Sequence, residues 1–268
     1  MIIDHEKMKN RRLFKIGIIL ITLVSIAIAL VTSRKIFNTS DLPEENFVNI
    51  QLTLSFVPDD CDTGDGIQNI YCDTENITFM SSSASGVAFK RDNDKTYILT
   101  ADHFCNSTGA ISSYPLLVES LDLEKDITIT DYRGNTRDSK IIYSDATSDL
   151  CILESDLPIK REIELSYSSP DLGEEIYSIS APLGIHDEDV YLHFFGKFSG
   201  CNSRDVCFYT IPAAPGSSGS LVLNQHNRII GMIQMTAIGF NSMSMGVGVK
   251  TIKEFLENAE QETGIDFI

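Results

Sequence analysis

The chain has 268 residues, no tryptophan, 43% hydrophobic residues and a formal net charge of −17. Beyond position 35 it carries 14 basic and 36 acidic residues, a net of −22. So acidic a region argues against nucleic acid and anionic surfaces as partners, and no basic stripe offsets it. The apolar content is enough for a folded core rather than a solvated, disordered chain.

In chain order, residues 1–15 form a basic segment with Lys7, Lys9, Arg11, Arg12 and Lys15. Residues 16–33 are uncharged and mostly apolar, bounded by Lys15 and Arg34-Lys35. At about 1.5 Å per residue this run reaches roughly 27 Å, the thickness of a hydrocarbon core. The basic flank predicts a single-pass signal anchor with a cytoplasmic N-terminus and everything after it exported. A cleavable signal peptide competes with that reading, because Ala27-Ile28-Ala29 fits a small-x-small cleavage site. In that case the protein is secreted. Residues 34–47 are a polar stalk, and residues 48–268 read as one domain.

Within that domain short apolar or alternating runs recur at 48–56, 76–81, 85–90, 96–101, 115–120, 127–132, 140–144 and 150–154. A second set follows at 175–181, 190–198, 206–211, 220–224, 229–236 and 243–250. Turn clusters separate them, among them Arg133-Gly134-Asn135 and the Asn224–Arg228 segment. Many short strands at this spacing predict an all-β barrel or sandwich. Ile252, Phe255, Leu256 and Ala259 recur at helical spacing and predict a helix over 251–259. No internal repeat is present.

Three segments carry chemistry. Tyr97–His103 is an apolar strand ending in Leu-Thr-Ala-Asp-His, Ser148–Leu153 opens a second apolar strand with Asp149, and Pro215-Gly216-Ser217-Ser218-Gly219-Ser220 is a glycine-serine loop. Singly, each has an ordinary explanation: a core histidine, a surface turn aspartate, a flexible turn. Jointly they supply a base, an orienting carboxylate and a nucleophile in the order His, Asp, Ser. That order differs from the Ser-Asp-His of α/β-hydrolases and the Asp-His-Ser of subtilisins. A serine hydroxyl is a weak nucleophile at neutral pH and needs an adjacent base.

These segments resemble the trypsin-like (chymotrypsin-fold) serine protease family over about residues 75–262. Ser85-Gly86-Val87-Ala88-Phe89 and Leu99–His103 resemble the family's approach to its histidine, and Asp149-Leu150-Cys151-Ile152-Leu153 its aspartate strand. Pro215–Ser220 is similar to its nucleophile loop, in the form found in the bacterial-type HtrA and glutamyl-endopeptidase branches. The resemblance implies two six-stranded antiparallel β-barrels with a short C-terminal helix, and a His103-Asp149-Ser218 triad that hydrolyses peptide bonds through an acyl-enzyme. It also implies an oxyanion hole from the backbone N–H groups of Gly216 and Ser218. Ser217 and Asp102 are local competitors for the nucleophile and the carboxylate. The Gly-x-Ser-Gly pattern selects Ser218, and the family takes its carboxylate from a later strand, which selects Asp149.

The first specificity pocket then involves Ala213, Ala214, Gln234, Met235 and Thr236. With no acidic residue at the expected base, a small or medium apolar side chain is expected at the cleavage site. His193 or His226 would be the candidates for a glutamyl preference. No Ile-Val-Gly-Gly-like sequence follows a basic residue, so constitutive competence is expected. The length leaves no room for a C-terminal PDZ module. A trypsin-like domain without catalysis, serving as an exported binding or structural module, remains the rival reading.

All six cysteines lie beyond the apolar run, which suits an oxidising compartment. The expected disulfides are Cys61–Cys72, Cys105–Cys151 and Cys201–Cys207, the second on condition that His103 and Asp149 meet. No Cys-x-x-Cys spacing or histidine cluster appears, so neither a metal nor a cofactor is expected. Asn38, Asn76 and Asn106 head Asn-x-Ser/Thr sequons.

Overall fold

A computed structural model describes residues 21, 22, 24, 43–56, 77–106, 123–190, 192–237 and 239–268. The chain divides into two units, Met1–Leu42 and Pro43–Ile268. In the first, Ile21, Thr22 and Val24 are helical. The rest of the expected span 16–33 lies outside the described residues, as do Cys61 and Cys72. Among the described residues no helix is long and apolar enough to cross a membrane.

The second unit contains two closed antiparallel barrels of six strands each. The first is built from β1 (Phe47–Phe56), β2 (Ile77–Asp92), β3 (Lys95–Thr100), β4 (Leu123–Asp131), β5 (Thr136–Asp145) and β6 (Leu150–Ser155), in the order β1-β2-β3-β6-β5-β4. The second contains β7 (Glu175–Ser180), β8 (Leu192–Cys201), β9 (Val206–Tyr209), β10 (Leu221–Asn224), β11 (Ile229–Ala237) and β12 (Phe240–Gly248), in the order β10-β11-β12-β9-β8-β7.

Strand periodicity explains the first core. Val48, Ile50, Leu52 and Leu54 alternate along β1, point inward and are fully buried, as a period of two requires. Val48, Ile50 and Leu52 meet Ala84, Ala88, Ile98, Ile127, Ile129 and Leu153 in one cluster. The runs at 76–81 and 85–90, expected as separate strands, form the single strand β2. Its pairing with β1 continues through Ser81, Ser82 and Ser83 with one irregularity at Leu54/Ser55. Backbone bonding, not apolar side chains, carries that stretch. Gly86 follows because a Cβ there would lie 2.6 Å from Ile50 Cδ1. The run at 115–120 lies outside the described residues.

The helix α2 (Val249–Thr263) follows β12 and is longer than the periodicity of 251–259 indicated. Asp205 caps it from outside: its carboxylate accepts the Thr251 N–H at 2.9 Å, satisfying one of the unpaired donors of the first turn. Gly264, at φ 73°, closes the other end in the left-handed region. Ile252, Phe255, Leu256 and Ala259 form the buried face. Phe255 packs on Tyr143 of β5 at 5.2 Å between ring centroids, so the helix that ends the second barrel docks on the first. Past it, Phe267 meets Tyr97 edge-on at 5.2 Å and Phe89 at 6.1 Å. The N–H groups of Phe267 and Ile268 both donate to the Glu260 carboxylate, at 2.7 and 2.9 Å.

Phe267 is 3% exposed, so Phe267→Ala is expected to cost about 3 kcal/mol. That corresponds to a melting temperature lower by roughly 9 °C for a domain of this size. An unchanged melting curve would show that the C-terminal segment does not hold the barrels.

Candidate active site

His103 lies on α1 (Asp102–Cys105), a single turn that begins as soon as β3 ends. Asp102, Phe104 and Cys105 of this turn are buried, whereas His103 is exposed. Cys105 is bonded to Cys151 of β6. The histidine turn is thereby stapled to the strand that begins one residue after Asp149. The Cys201–Cys207 disulfide is also formed.

Asp149 occupies a left-handed conformation, φ 55°, which costs a residue with a Cβ about 1 kcal/mol. Three sets of bonds hold it there. The Asp145 carboxylate accepts the N–H groups of Thr147 and Ser148 and the Ser148 hydroxyl at 2.7–3.1 Å. The His103 backbone N–H donates to Asp149 Oδ1 at 2.8 Å. The Gln234 side-chain amide donates to the carbonyls of Ser148 and Asp149, each at 2.8 Å.

With its backbone so placed, the Asp149 carboxylate receives His103 Nδ1 at 2.8 Å on Oδ2 and 3.0 Å on Oδ1. This bond leaves Nε2 as the outward nitrogen. Asp102, the competing carboxylate, is buried and accepts Asn106 Nδ2 instead. Lys125 lies against the same turn, with Nζ on the Cys105 carbonyl; burial lowers its pKa and Asp102 partly offsets that. The bond to Asp149 raises the His103 pKa above 6.5, burial opposes it, and the charges of Asp149 and Asp102 add to the rise.

The nucleophile loop comes from the second barrel. Gly216 and Gly219 have φ of 95° and 85°, which glycine adopts without strain. Ser217 is buried and its hydroxyl accepts the Ala214 N–H at 3.3 Å, so it points into the protein. Ser218 is half-buried, and its hydroxyl donates to the Gln234 carbonyl at 3.4 Å. Among the described residues it makes no hydrogen bond to His103. The N–H groups of Gly216 and Ser218 likewise have no acceptor among them, while those of Ser217, Gly219 and Ser220 are bonded to Ala214, Ile233 and Ser217.

Ser85, on β2, anchors this loop to the first barrel. It is fully buried and its N–H donates to the Ser218 carbonyl at 2.9 Å. Its hydroxyl donates to the Gly216 carbonyl at 2.8 Å and accepts the Ala181 N–H at 2.9 Å. Its carbonyl accepts Thr100 Oγ1 at 2.8 Å. The motif around Ser85 was visible in the sequence, but this role was not. The serine-rich run around it, Ser81-Ser82-Ser83-Ala84-Ser85, gives no signal that singles Ser85 out.

Of the five pocket residues expected, Ala213 packs in the second core and the Gln234 side chain is spent on the two carbonyls. Ala214 and Thr236 are half-buried and Met235 is exposed. His193 pairs with Glu44 at 3.1 Å, and His226 lies in the β10–β11 turn, its N–H on Asn224.

Two closed six-stranded barrels, with a His–Asp pair on one and a glycine-framed serine loop on the other, define the class of chymotrypsin-like serine proteases. The family model for the trypsin-like peptidase domain matches residues 84–232, more than half of the chain; the chain belongs to that family. It is 27% identical over 227 residues to "Serine protease Do-like HtrB" of Bacillus subtilis, covering 75% of this chain and 45% of that protein. It is 25% identical over 226 residues to "Serine protease HtrA-like" of Staphylococcus haemolyticus, covering 77% and 33%. The chain thus spans less than half the length of these curated relatives. Among solved structures, the serine endoprotease from Yersinia pestis aligns with a TM-score of 0.55 at 15% identity, over 82% of this chain and 64% of that one. The Rv3671c protease from M. tuberculosis in its active form aligns at 0.54 and 14%, over 80% and 81%. At these identities the likeness is one of fold.

Two outcomes are expected. The folded pKa of His103 is the raised one, so the stabilisation from the charged couple is complete below pH 6.5 and is lost as pH rises through the folded value. Asp149→Asn should bring the His103 titration, followed by NMR, back to 6.5 or below; an unmoved titration would mean the pair does not form in solution. Separately, a Cβ at position 219 would collide with the Ser85 carbonyl and Thr100 Oγ1. Gly219→Ala should therefore destabilise by more than about 1 kcal/mol in urea titration.

Proposed function

We propose that the chain is a serine endopeptidase using His103, Asp149 and Ser218. The observation that carries this reading is the bonded His103–Asp149 pair, with a loop tied to the same barrel by Ser85 that offers two unspent amides at Gly216 and Ser218. Ser218 Oγ first turns from the Gln234 carbonyl to His103 Nε2. As it attacks the scissile carbonyl carbon, its proton passes to Nε2, and Asp149 stabilises the imidazolium. The oxygen that becomes negative is received by the N–H groups of Gly216 and Ser218. Each such donor is worth on the order of 100- to 1000-fold in rate. The C–N bond then breaks, the amine leaves with the proton from Nε2, and an ester to Ser218 remains. Water repeats the sequence with His103 as base and releases the acid.

Small or medium apolar side chains are the proposed preference at the cleavage site. Residues 48–268 are proposed to act outside the cytoplasm, tethered through 16–33 or released from it. The basic residues before that run and the two formed disulfides support this placement.

One observation favours the rival reading of an inactive binding module: Ser218 Oγ rests on Gln234 and not on His103. A fluorophosphonate probe separates the two. The full-length oxidised chain should label, Ser218→Ala should abolish labelling, and Ser217→Ala should retain it. A folded chain that does not label would favour the binding module. The neutral histidine is the base, so the labelling rate should rise with pH through the raised pKa of His103.

A further inference from the structure

Gln234 stands on β11 of the second barrel and is 8% exposed. Its side chain crosses to the first barrel. The single Nε2 group, which has two N–H bonds to give, donates to the carbonyls of Ser148 and Asp149, each at 2.8 Å. These are consecutive carbonyls of the turn in which Asp149 sits at φ 55°. Asp145 holds that turn through its N–H groups, whereas Gln234 holds it through its carbonyls. The same residue's own backbone carbonyl receives Ser218 Oγ at 3.4 Å. Gln234 is therefore in contact with the acid through its side chain and with the serine through its main chain.

We propose that Gln234 is the positioning residue of the site, a clamp from the second barrel that fixes the left-handed turn of Asp149 and so sets that carboxylate against His103 and in register with Ser218. This rests on the hydrolase reading above for its catalytic consequence, though not for the clamp itself. The role needs a double donor of this length. Methionine fills the volume with no donor, and glutamate keeps the shape but opposes two carbonyls with a third acceptor. A buried carbonyl that loses its partner without gaining water is destabilised, so the turn would relax and carry Asp149 with it. Displacements of about 1 Å at such a site cost roughly a hundredfold in rate.

The test uses the full-length oxidised chain and its Gln234→Met and Gln234→Glu variants. The readouts are the fluorophosphonate labelling rate, its pH profile and the His103 titration by NMR. The charged groups facing His103 are Asp149 and Asp102; Gln234→Met leaves the charge unchanged, whereas Gln234→Glu adds a carboxylate, so the titration is read on Gln234→Met. Both variants are expected to label at least about tenfold more slowly. In Gln234→Met the His103 pKa and the acid limb of the profile should move to lower pH, as the Asp149 bond slackens. A folded Gln234→Met chain with the wild-type rate and the wild-type His103 titration overturns the proposal. If both variants fail to fold, the wild-type chain decides: side-chain amide protons of Gln234 that exchange at the bulk rate overturn it, and protected ones support it. A wild-type chain that does not label defeats the hydrolase reading alone, and the His103 titration in Gln234→Met still judges the clamp.

Discussion

Everything at the site depends on keeping two closed barrels in register. A closed barrel has no free edge, so the barrels cannot join by sharing a strand, and the seam must be made by side chains, loops and the C-terminal helix. On the site's side the joining groups are few and polar. Ser85 of β2 holds the Gly216 and Ser218 carbonyls, and Gln234 of β11 holds those of Ser148 and Asp149. Each barrel reaches into the loop that carries the other's reactive group. Elsewhere the seam is aromatic, with Phe255 on Tyr143 and Phe267 on Tyr97. Directional bonds therefore set the geometry where it matters, and burial supplies adhesion.

The same division explains the strain at Asp149. A left-handed aspartate is unfavourable by itself, and it persists where surrounding bonds over-determine it. Here Asp145, the His103 backbone and Gln234 do so from three directions, while the Cys105–Cys151 bond limits how far the histidine turn can drift from the strand.

Much of the architecture was legible because barrel strands carry either a period of two, which β1 displays plainly, or a short continuous buried run, as in β3 and β6. The order of His103, Asp149 and Ser218 carried the class. Legibility failed where backbone bonding overrides side-chain pattern, as in the continuous strand through Ser81–Ser83, and at the polar end of α2. It failed again at long-range polar contacts. Nothing in the sequence near Gln234 indicates that its amide reaches residues 85 positions away, and its place beside the expected pocket suggested a different use. Ser85 was likewise visible as part of a pattern but silent as a hub, since the partners of a buried hydroxyl are set by the fold.

The Cys105–Cys151 bond has a consequence for the durability of the fold. It closes a ring of chain 46 residues in span, with β4 and β5 wholly inside. The exposed residues Arg133, Gly134 and Asn135 between β4 and β5 lie within that ring and are open to nicking. A single cut there leaves both pieces covalently joined, with His103 on one side of the bond and Asp149 on the other. Such a nicked molecule would migrate as intact without reductant and as two fragments with it, and its histidine and aspartate would stay paired after the polypeptide between them had been severed.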